Sequence, residues 1–371
     1  MLRWTLILLG IPMGLAMLAL AIYLLATGEA SIKEGLGMSA MGVLFLGAGV
    51  NALSPSIVER LWSWHSMRGS RSPFATAEVD ELIGLVERGD FAAAEQFLEH
   101  HRDAAWHDRA YFVEALAERC KPSVGARWSA ARKGAVADLV RGRLLIASAW
   151  AARGSGRAES VSDAGWQVFT RDLEQARTHL ERAAETDAAD PTALAFLIKV
   201  EIGTDGEAAE RYFQRAIERD PGHHLAHELM LLALCEKWHG SHEEMFELAR
   251  DAAAAAPAGS SLPMLVVTAH IEHWLYLEHF DGQPAVARAA LHADRAEVAR
   301  AFAASIDHRD YRPDRLTPWR LNEAACWTYL ARDHGQLARR MNRLGDVQTQ
   351  FPWAYAGAGA FRAARRAARA T

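Results

Sequence analysis

The feature that most constrains the fold is a pattern of small and aromatic residues that recurs about every 34 positions. In the stretch "DGEAAERYFQRAIERDPG", the spacing A-x3-F-x2-A-x4-P is supplied by Ala209, Phe213, Ala216 and Pro221. Small residues at these positions let two helices approach closely, and the aromatic ring fills the groove between them. The proline begins the next unit, because it cannot continue a helix. The pattern therefore predicts the second helix of a helical hairpin.

The same register appears on both sides of this stretch. The earlier copy is "LEQARTHLERA" and the later copy is "EEMFELARDAAAAAP". A period near 34 is typical of tetratricopeptide repeats, whose helix pairs stack into a curved solenoid with a concave binding surface. A further isolated unit, "LIGLVERGDFAAAEQFLEHH", has a turn at Gly89. The matching positions in the two copies are Ala176, Leu180 and Ala183, then Met245, Ala249, Ala252 and Pro257.

The rest of the chain after residue 74 combines Ala and Leu with Arg and Glu at helical spacing, so we predict an all-α fold. Residues 104–170 and 283–345 match the repeat poorly and are predicted as caps or a separate helical lobe. The predicted organisation has four segments. They are a two-helix transmembrane hairpin at 1–55, a juxtamembrane linker at 56–74, a tetratricopeptide-like α-solenoid at 75–350 and a basic C-terminal tail at 351–371.

Two uncharged stretches carry the transmembrane prediction. Residues 4–26 and 36–55 contain no charged side chain, and each is long enough to cross a hydrocarbon core of about 30 Å. A cleaved signal peptide is the alternative for the first stretch. That stretch is longer than an ordinary signal-peptide core and a second apolar stretch follows it, so the sequence favours a membrane hairpin.

Basic residues predict the orientation of this hairpin. Arginines flank both ends, at Arg3, Arg60, Arg68 and Arg71, whereas the short loop carries one lysine between two glutamates. Such a distribution favours cytoplasmic ends. We therefore predict a multi-pass protein of the inner (plasma) membrane with a cytoplasmic soluble domain. The reverse orientation would place the same domain outside the cytoplasm.

Three histidine groups are candidates for metal binding: "HHLAHE", "HGSHEE" and "HIEHWLYLEHF". His223 and His227 stand four residues apart and would share one helix face, where a neighbour such as His270 would complete a ligand set. This arrangement would give a metal-dependent enzyme. Because the preceding "PG" places a helix start at this point, capping or solvated histidines are the favoured interpretation.

The second group is predicted as the turn of a hairpin. In "KWHGSHEEM", Gly240 allows the chain to reverse, Ser241 is a candidate N-cap, and Glu244 completes a capping box. His239 and His242 then lie on either side of the turn instead of on one helix face. We predict no metal ligand and no cofactor-binding residue.

Common catalytic signatures are absent from the sequence. There is no Walker A loop, HExxH, GxSxG or complete GxGxxG. The three cysteines are far apart, and the formal net charge of -5 favours no nucleic-acid partner. We therefore predict that the protein is not an enzyme.

The candidate partner-binding residues lie in "AWAARGSGRAESVSDAGW". Trp150 and Trp166 bracket a Gly/Ser turn that carries Arg153 and Arg157. Tryptophan and arginine are the residue types enriched at interface hot spots. The alternative is that the two tryptophans pack two long helices together.

From residue 120 to 280 the chain resembles an uncharacterised family of bacterial tetratricopeptide-like proteins. The segments that carry the resemblance are "KPSVGARWSAARKGAVADLVRGRLLIASAWAARG", "VSDAGWQVFTRDLEQARTHLERA", "DPGHHLAHELMLLALCEKWHGSHEEMFELAR" and "LPMLVVTAHIEHWLYL". This resemblance implies a helical-repeat fold, and it supplies no catalytic residue. Together these features predict a membrane-anchored adaptor that binds a protein or peptide partner.

Overall fold

The computed structural model describes residues 13, 15–20, 22, 70–102, 106–154, 158–357 and 359–370. The regular structure of these residues is helical, apart from one parallel bridge between Arg71 and Val347. The predicted all-α fold class is confirmed in this part of the chain. The chain divides into two units, Met1–His65 with Gly154–Val161, and Ser66–Arg153 with Ser162–Thr371.

In the first unit, residues 13, 15–20 and 22 are helical and Ala158–Ser160 forms a 3-10 turn. Sixteen α-helices lie in the described residues of the second. They are α1 (Ala77–Arg88), α2 (Phe91–His100), α3 (His107–Arg119), α4 (Ser123–Ala131), α5 (Ala135–Arg153), α6 (Asp163–Thr186), α7 (Thr192–Ile202), α8 (Ala209–Arg219), α9 (His224–Ala233), α10 (His242–Ala255), α11 (Met264–His279), α12 (Pro284–Ala293), α13 (Arg295–Ala304), α14 (Thr317–Leu330), α15 (His334–Leu344) and α16 (Ala360–Arg369).

Consecutive helices pack as the repeat pattern predicts. Helix α8 contacts α7 and α9, and its Ala209, Phe213 and Ala216 are buried. The matching positions of α6 and α10 are buried as well. Burial of one face of each helix is what holds such an array together, because a single hairpin cannot bury its apolar side alone.

Capping residues determine where the two helices of the first hairpin, α1 and α2, begin and end. The Thr76 hydroxyl accepts a hydrogen bond from the Val79 N–H and begins α1. Gly89 ends this helix with φ 78°, a left-handed conformation that glycine adopts without strain. Asp90 then caps α2 by accepting from the Ala93 N–H. These residues reverse the chain within two positions.

Helices α3, α5, α7, α9, α11 and α14 form an inner row. Each contacts the next one in this order, and α9 also contacts α3. The row is enclosed by its neighbours: ten of the eleven residues of α7 are buried, from Thr192 to Ile202 with Lys199 excepted. The side chains of the inner row therefore meet in the interior of the second unit.

The beginning and the end of the array contact each other. Arg315, just before α14, donates from Nε to Asp108 Oδ2 over 2.9 Å and from Nη2 to Glu78 Oε1 over 3.2 Å. The rings of Phe74 and Trp319 lie 5.1 Å apart. The array is closed by these contacts, which the repeat pattern did not predict.

The predicted membrane location is corrected by the structure. None of the helices in the described part of the chain is long and apolar enough to cross a membrane. The longest of them, α5 and α6, carry several charged side chains each. This finding contradicts the prediction of a multi-pass inner-membrane protein. Apart from residues 13, 15–20 and 22, the predicted hairpin at 1–55 lies outside the described residues.

The predicted basic tail at 351–371 contains helix α16. This helix packs on α14 and α15 and buries Ala360, Phe361 and Ala364. Arg366 and Arg369 remain exposed. The apolar side of the tail is therefore part of the core.

Candidate partner-binding site

The two tryptophans proposed for partner binding come together around one phenylalanine. Trp150 on α5 and Trp166 on α6 are both half-buried. Their rings lie 5.3 Å and 5.6 Å from the ring of Phe169, each in an edge-to-face arrangement. Such pairs add about 0.5–1.5 kcal/mol to the stabilisation from burial. These contacts support the alternative in which the tryptophans pack α5 against α6.

A third tryptophan joins this group. The ring of Trp238 lies 5.4 Å from that of Trp150, at 89°. The guanidinium carbon of Arg153 lies 5.6 Å from the Trp150 ring and 5.7 Å from the Trp238 ring. Arg157 lies outside the described residues. We call Trp150, Arg153, Trp166, Phe169 and Trp238 the aromatic–arginine cluster.

Two polar atoms of this cluster are unusual. The indole Nε1 atoms of Trp150 and Trp238 are buried, and neither donates a hydrogen bond within the part of the chain described here. A buried donor without an acceptor is destabilising, so a peptide carbonyl would be a favourable neighbour. Binding by these residues stays a prediction.

The first histidine group belongs to the core. His223 is fully buried and precedes α9, and the Nδ1 atom of His227 lies 3.2 Å from its carbonyl oxygen. Burial lowers the pKa of His223 to about 3, with smaller effects from the charges of His107 and His227. The ring is therefore neutral at pH 7. It lies 6.3 Å from the ring of His107.

His270, which the metal hypothesis would combine with His223 and His227, has other neighbours. Its Nδ1 lies 3.0 Å from Asp294 Oδ2 and its Nε2 lies 2.9 Å from Glu297 Oε2. Only the Nε2 contact has the angle of a good hydrogen bond.

The second and third histidine groups meet on α10 and α11. The rings of His242 and His273 lie 4.6 Å apart, and His242 Nε2 lies 3.2 Å from Glu236. No group of three or more His, Cys, Asp or Glu residues that could hold a metal ion occurs among the described residues. The metal-enzyme hypothesis therefore has no ligand set there. A shallow depression of about 550 Å³ next to His242 is lined by α10 alone.

The predicted N-cap at this turn is confirmed. The Ser241 hydroxyl accepts from the Glu244 N–H over 3.2 Å and lies 2.9 Å from the Glu244 carboxylate. Adding a Cβ to Gly240 would bring it within 2.6 Å of the Leu234 carbonyl oxygen. The turn therefore requires glycine for a close backbone approach.

Sequence reasoning missed a set of ionisable side chains that the inner row brings together. We call this set the central charged cluster. Each inner helix contributes at least one member, and their electrostatic effects on one another link them. The members are Glu114 on α3, Arg143 on α5, Lys199 on α7, Glu228 on α9, Glu272 on α11, and Arg320 and Glu323 on α14.

Three ion pairs neutralise part of this cluster. Arg143 binds Glu114 through two hydrogen bonds, of 2.9 Å from Nε and 2.6 Å from Nη2. Arg320 donates from Nη1 to both oxygens of Asp314, over 2.7 Å and 2.8 Å. Lys237, which lies outside the inner row, pairs with Glu272. Such pairing is what makes buried charges tolerable.

Lys199, Glu228 and Glu323 lie outside these pairs. Burial, followed by the charge of Arg143, lowers the pKa of Lys199. Burial raises the pKa of Glu228, while the charges of Lys199 and Arg320 oppose that shift. Burial and the charge of Glu228 hold the pKa of Glu323 well above its usual range.

No known family, curated protein or solved structure matches the chain. The resemblance over residues 120–280 to an uncharacterised bacterial family stays a prediction, and so does the absence of enzymatic activity.

Proposed function

We propose that the protein is a helical-repeat adaptor that binds a protein or peptide partner through the aromatic–arginine cluster. The observation that carries this proposal is the position of Arg153 above two tryptophan rings at the end of α5. Tryptophan and arginine dominate interface hot spots because they combine large apolar area with directed polar groups. Binding by this cluster requires no catalytic residue.

The helical array supports the same proposal. We propose that its hairpins are tetratricopeptide-like repeats, because small and aromatic residues at the repeat spacing are buried on α6, α8 and α10. In repeat arrays the stacked units present an extended surface, which commonly binds other proteins. The contacts between the two ends of this array favour recognition on its outer face.

The substitution Arg153→Glu tests the proposal. It reverses the charge above the tryptophan rings and leaves the rings in place. We expect recovery of the partner in a quantitative pull-down with the full-length chain to fall about tenfold or more, since a hot-spot residue contributes about 2 kcal/mol. Circular dichroism verifies that the variant is folded.

Arg211→Glu is the matched control. Arg211 is exposed, and its guanidinium carbon lies 5.2 Å from the ring of Tyr212 on α8. We expect this variant to recover the partner as the unchanged protein does. Equal recovery by Arg153→Glu and Arg211→Glu would contradict the proposed site. Turnover of a small substrate without any partner would contradict the adaptor function.

A further inference from the structure

Three arginines of helix α15 converge on a single carboxylate. The helix contains Arg339, Arg340 and Arg343 and no acidic residue. Each of them places a guanidinium nitrogen within 2.7 Å of Oδ1 of Asp307, which lies between α13 and α14. No other ion pair joins these arginines to an acid among the described residues. One negative charge therefore faces three positive charges, and two of the positive charges are not neutralised.

Arg340 is the arginine that this carboxylate matches. Its Nη1 and Nη2 atoms donate to Oδ1 and Oδ2 of Asp307, each over 2.6 Å. Two parallel hydrogen bonds of this kind pair one guanidinium with one carboxylate. The Arg340 side chain is 2% exposed, and its guanidinium carbon lies 4.2 Å from the ring of Phe302. The pair of Arg340 and Asp307 is therefore part of the core.

The other two arginines reach the surface. The side chains of Arg339 and Arg343 are 51% and 33% exposed. Arg343 also donates from Nη2 to the carbonyl oxygen of Ile306 over 2.9 Å, which fixes its position. Because both arginines contact the same oxygen of Asp307, their guanidinium groups are held side by side. A guanidinium has five N–H donors, so both arginines retain donors for a ligand.

We propose that Arg339 and Arg343 bind a phosphate group, carried by a small molecule or by a phosphorylated side chain of a peptide. Adjacent like charges repel each other, and an anion that contacts both removes this repulsion. A phosphate monoester carries a charge of about −1.5 to −2 at pH 7, which matches the two surplus cations, and its oxygens accept hydrogen bonds from both. A carboxylate would neutralise only one of them.

Asp307 prepares this site for its ligand. Burial raises the pKa of Asp307, but the hydrogen bond and charge of Arg340 and the charge of Arg339 outweigh this effect and lower it. The carboxylate is therefore ionised at pH 7 and holds the arginines together without a ligand. A rigid arrangement loses less conformational entropy when it binds. The proposal does not depend on the aromatic–arginine cluster and adds a ligand that the adaptor function does not require.

Isothermal titration calorimetry of the full-length chain tests this site with three probes. They are inorganic phosphate, a glycine peptide with one central phosphoserine, and the same peptide without the phosphate, all at one ionic strength set with sodium chloride. We expect saturable binding of at least one phosphate probe and none of the unphosphorylated peptide. Tighter binding of inorganic phosphate would indicate a small-molecule ligand, and tighter binding of the phosphopeptide a phosphorylated protein.

The double substitution Arg339→Gln with Arg343→Gln removes both surplus charges and leaves the pair of Arg340 and Asp307 in place. We expect it to weaken binding of the effective probe about tenfold or more, because charge-assisted hydrogen bonds are lost. The matched control is Arg366→Gln with Arg369→Gln. It removes the same charge from two exposed arginines of α16 and should bind as the unchanged protein does.

Two results would overturn the proposal. One is the absence of saturable binding of inorganic phosphate together with equal binding of the two peptides. The other is an equal affinity of the folded double variant and its control for the effective probe. If the double variant does not fold, Arg339→Gln decides, because this side chain is half exposed and has one ion pair. An affinity equal to that of Arg366→Gln would then contradict the site.

Discussion

Glu297 on α13 accepts hydrogen bonds from cationic or polar side chains of two other helices. Arg250 donates to it over 2.8 Å and 3.2 Å, and His270 Nε2 lies 2.9 Å from its Oε2. These bonds, that of Arg250 before that of His270, hold the pKa of Glu297 at about 2 against the opposing effect of burial. One carboxylate thereby links α10, α11 and α13.

The low pKa of Glu297 makes part of the stability depend on pH. In the unfolded chain a glutamate has a pKa of about 4.3. The folded state therefore binds fewer protons, so the stabilisation is complete above about pH 5 and is lost as the pH falls toward 2. We expect Glu297→Gln to lower the free energy of unfolding by about 1 kcal/mol at pH 7.

Urea denaturation at several pH values between 7 and 3 measures this effect. The difference between Glu297→Gln and the unchanged protein should shrink as the pH falls. Glu243→Gln is a suitable control, since Glu243 is exposed on α10. A difference that stays constant with pH would show that the carboxylate charge is not the source of the stabilisation.

Some residues of the candidate site were predictable and others were not. Trp150 and Trp166 lie close in sequence on the consecutive helices α5 and α6, so their proximity follows from local structure. Trp238 comes from a distant turn, and nothing in its local pattern predicts a contact with Trp150. The members of the central charged cluster are likewise far apart in the sequence, so no local pattern predicts that they come together. Only the packing of the inner row brings them together.

At the scale of elements, the spacing of small residues predicted which helix faces are buried, because helical periodicity is a local property. The poor repeat match of residues 104–170 also has a physical reason. Helices α5 and α6 contain 19 and 24 residues, whereas α7 and α8 contain 11 each. A pair of such long helices cannot follow a period near 34.

The α5–α6 pair depends on a close approach at Gly142. A Cβ at this position would lie 2.5 Å from Leu180 Cγ and 2.7 Å from its Cδ2. Leu180 is fully buried and cannot move aside freely. We expect Gly142→Ala to lower the free energy of unfolding by about 1–3 kcal/mol, measured by urea denaturation.

Gly335 on α15 provides the comparison for this substitution. A Cβ there would meet only the Asp333 carboxylate, at 3.7 Å. Alanine has the higher helix propensity, so Gly335→Ala should be neutral or slightly stabilising. If both substitutions change the free energy of unfolding equally, the close α5–α6 packing at Gly142 is not the source of the destabilisation.

For the whole molecule, the contacts of Arg315 close the array. Its guanidinium binds Asp108 and Glu78 and lies 4.8 Å from the ring of Phe112. Arg315→Met removes both ion pairs and keeps an apolar stem. We expect it to lower the free energy of unfolding by about 2 kcal/mol and to speed amide hydrogen exchange in α1 and α3.

Arg309→Met is the control for this closure. The Arg309 side chain is 89% exposed, and its nearest acidic contact is Asp310 at 3.7 Å. This substitution should leave both the stability and the exchange rates unchanged. Unchanged exchange in α1 and α3 of Arg315→Met would show that the apolar contacts of Phe74 close the array without the ion pairs.

The closed array also limits how such a chain can evolve. An open solenoid can lengthen by duplication of a hairpin, since each unit touches only its neighbours. Here an inserted hairpin would move Arg315 away from Glu78 and Asp108, and a deletion would force these residues together. The number of helices between α1 and α14 is therefore tied to these contacts, and we expect changes of length to be tolerated in loops instead of in whole repeats.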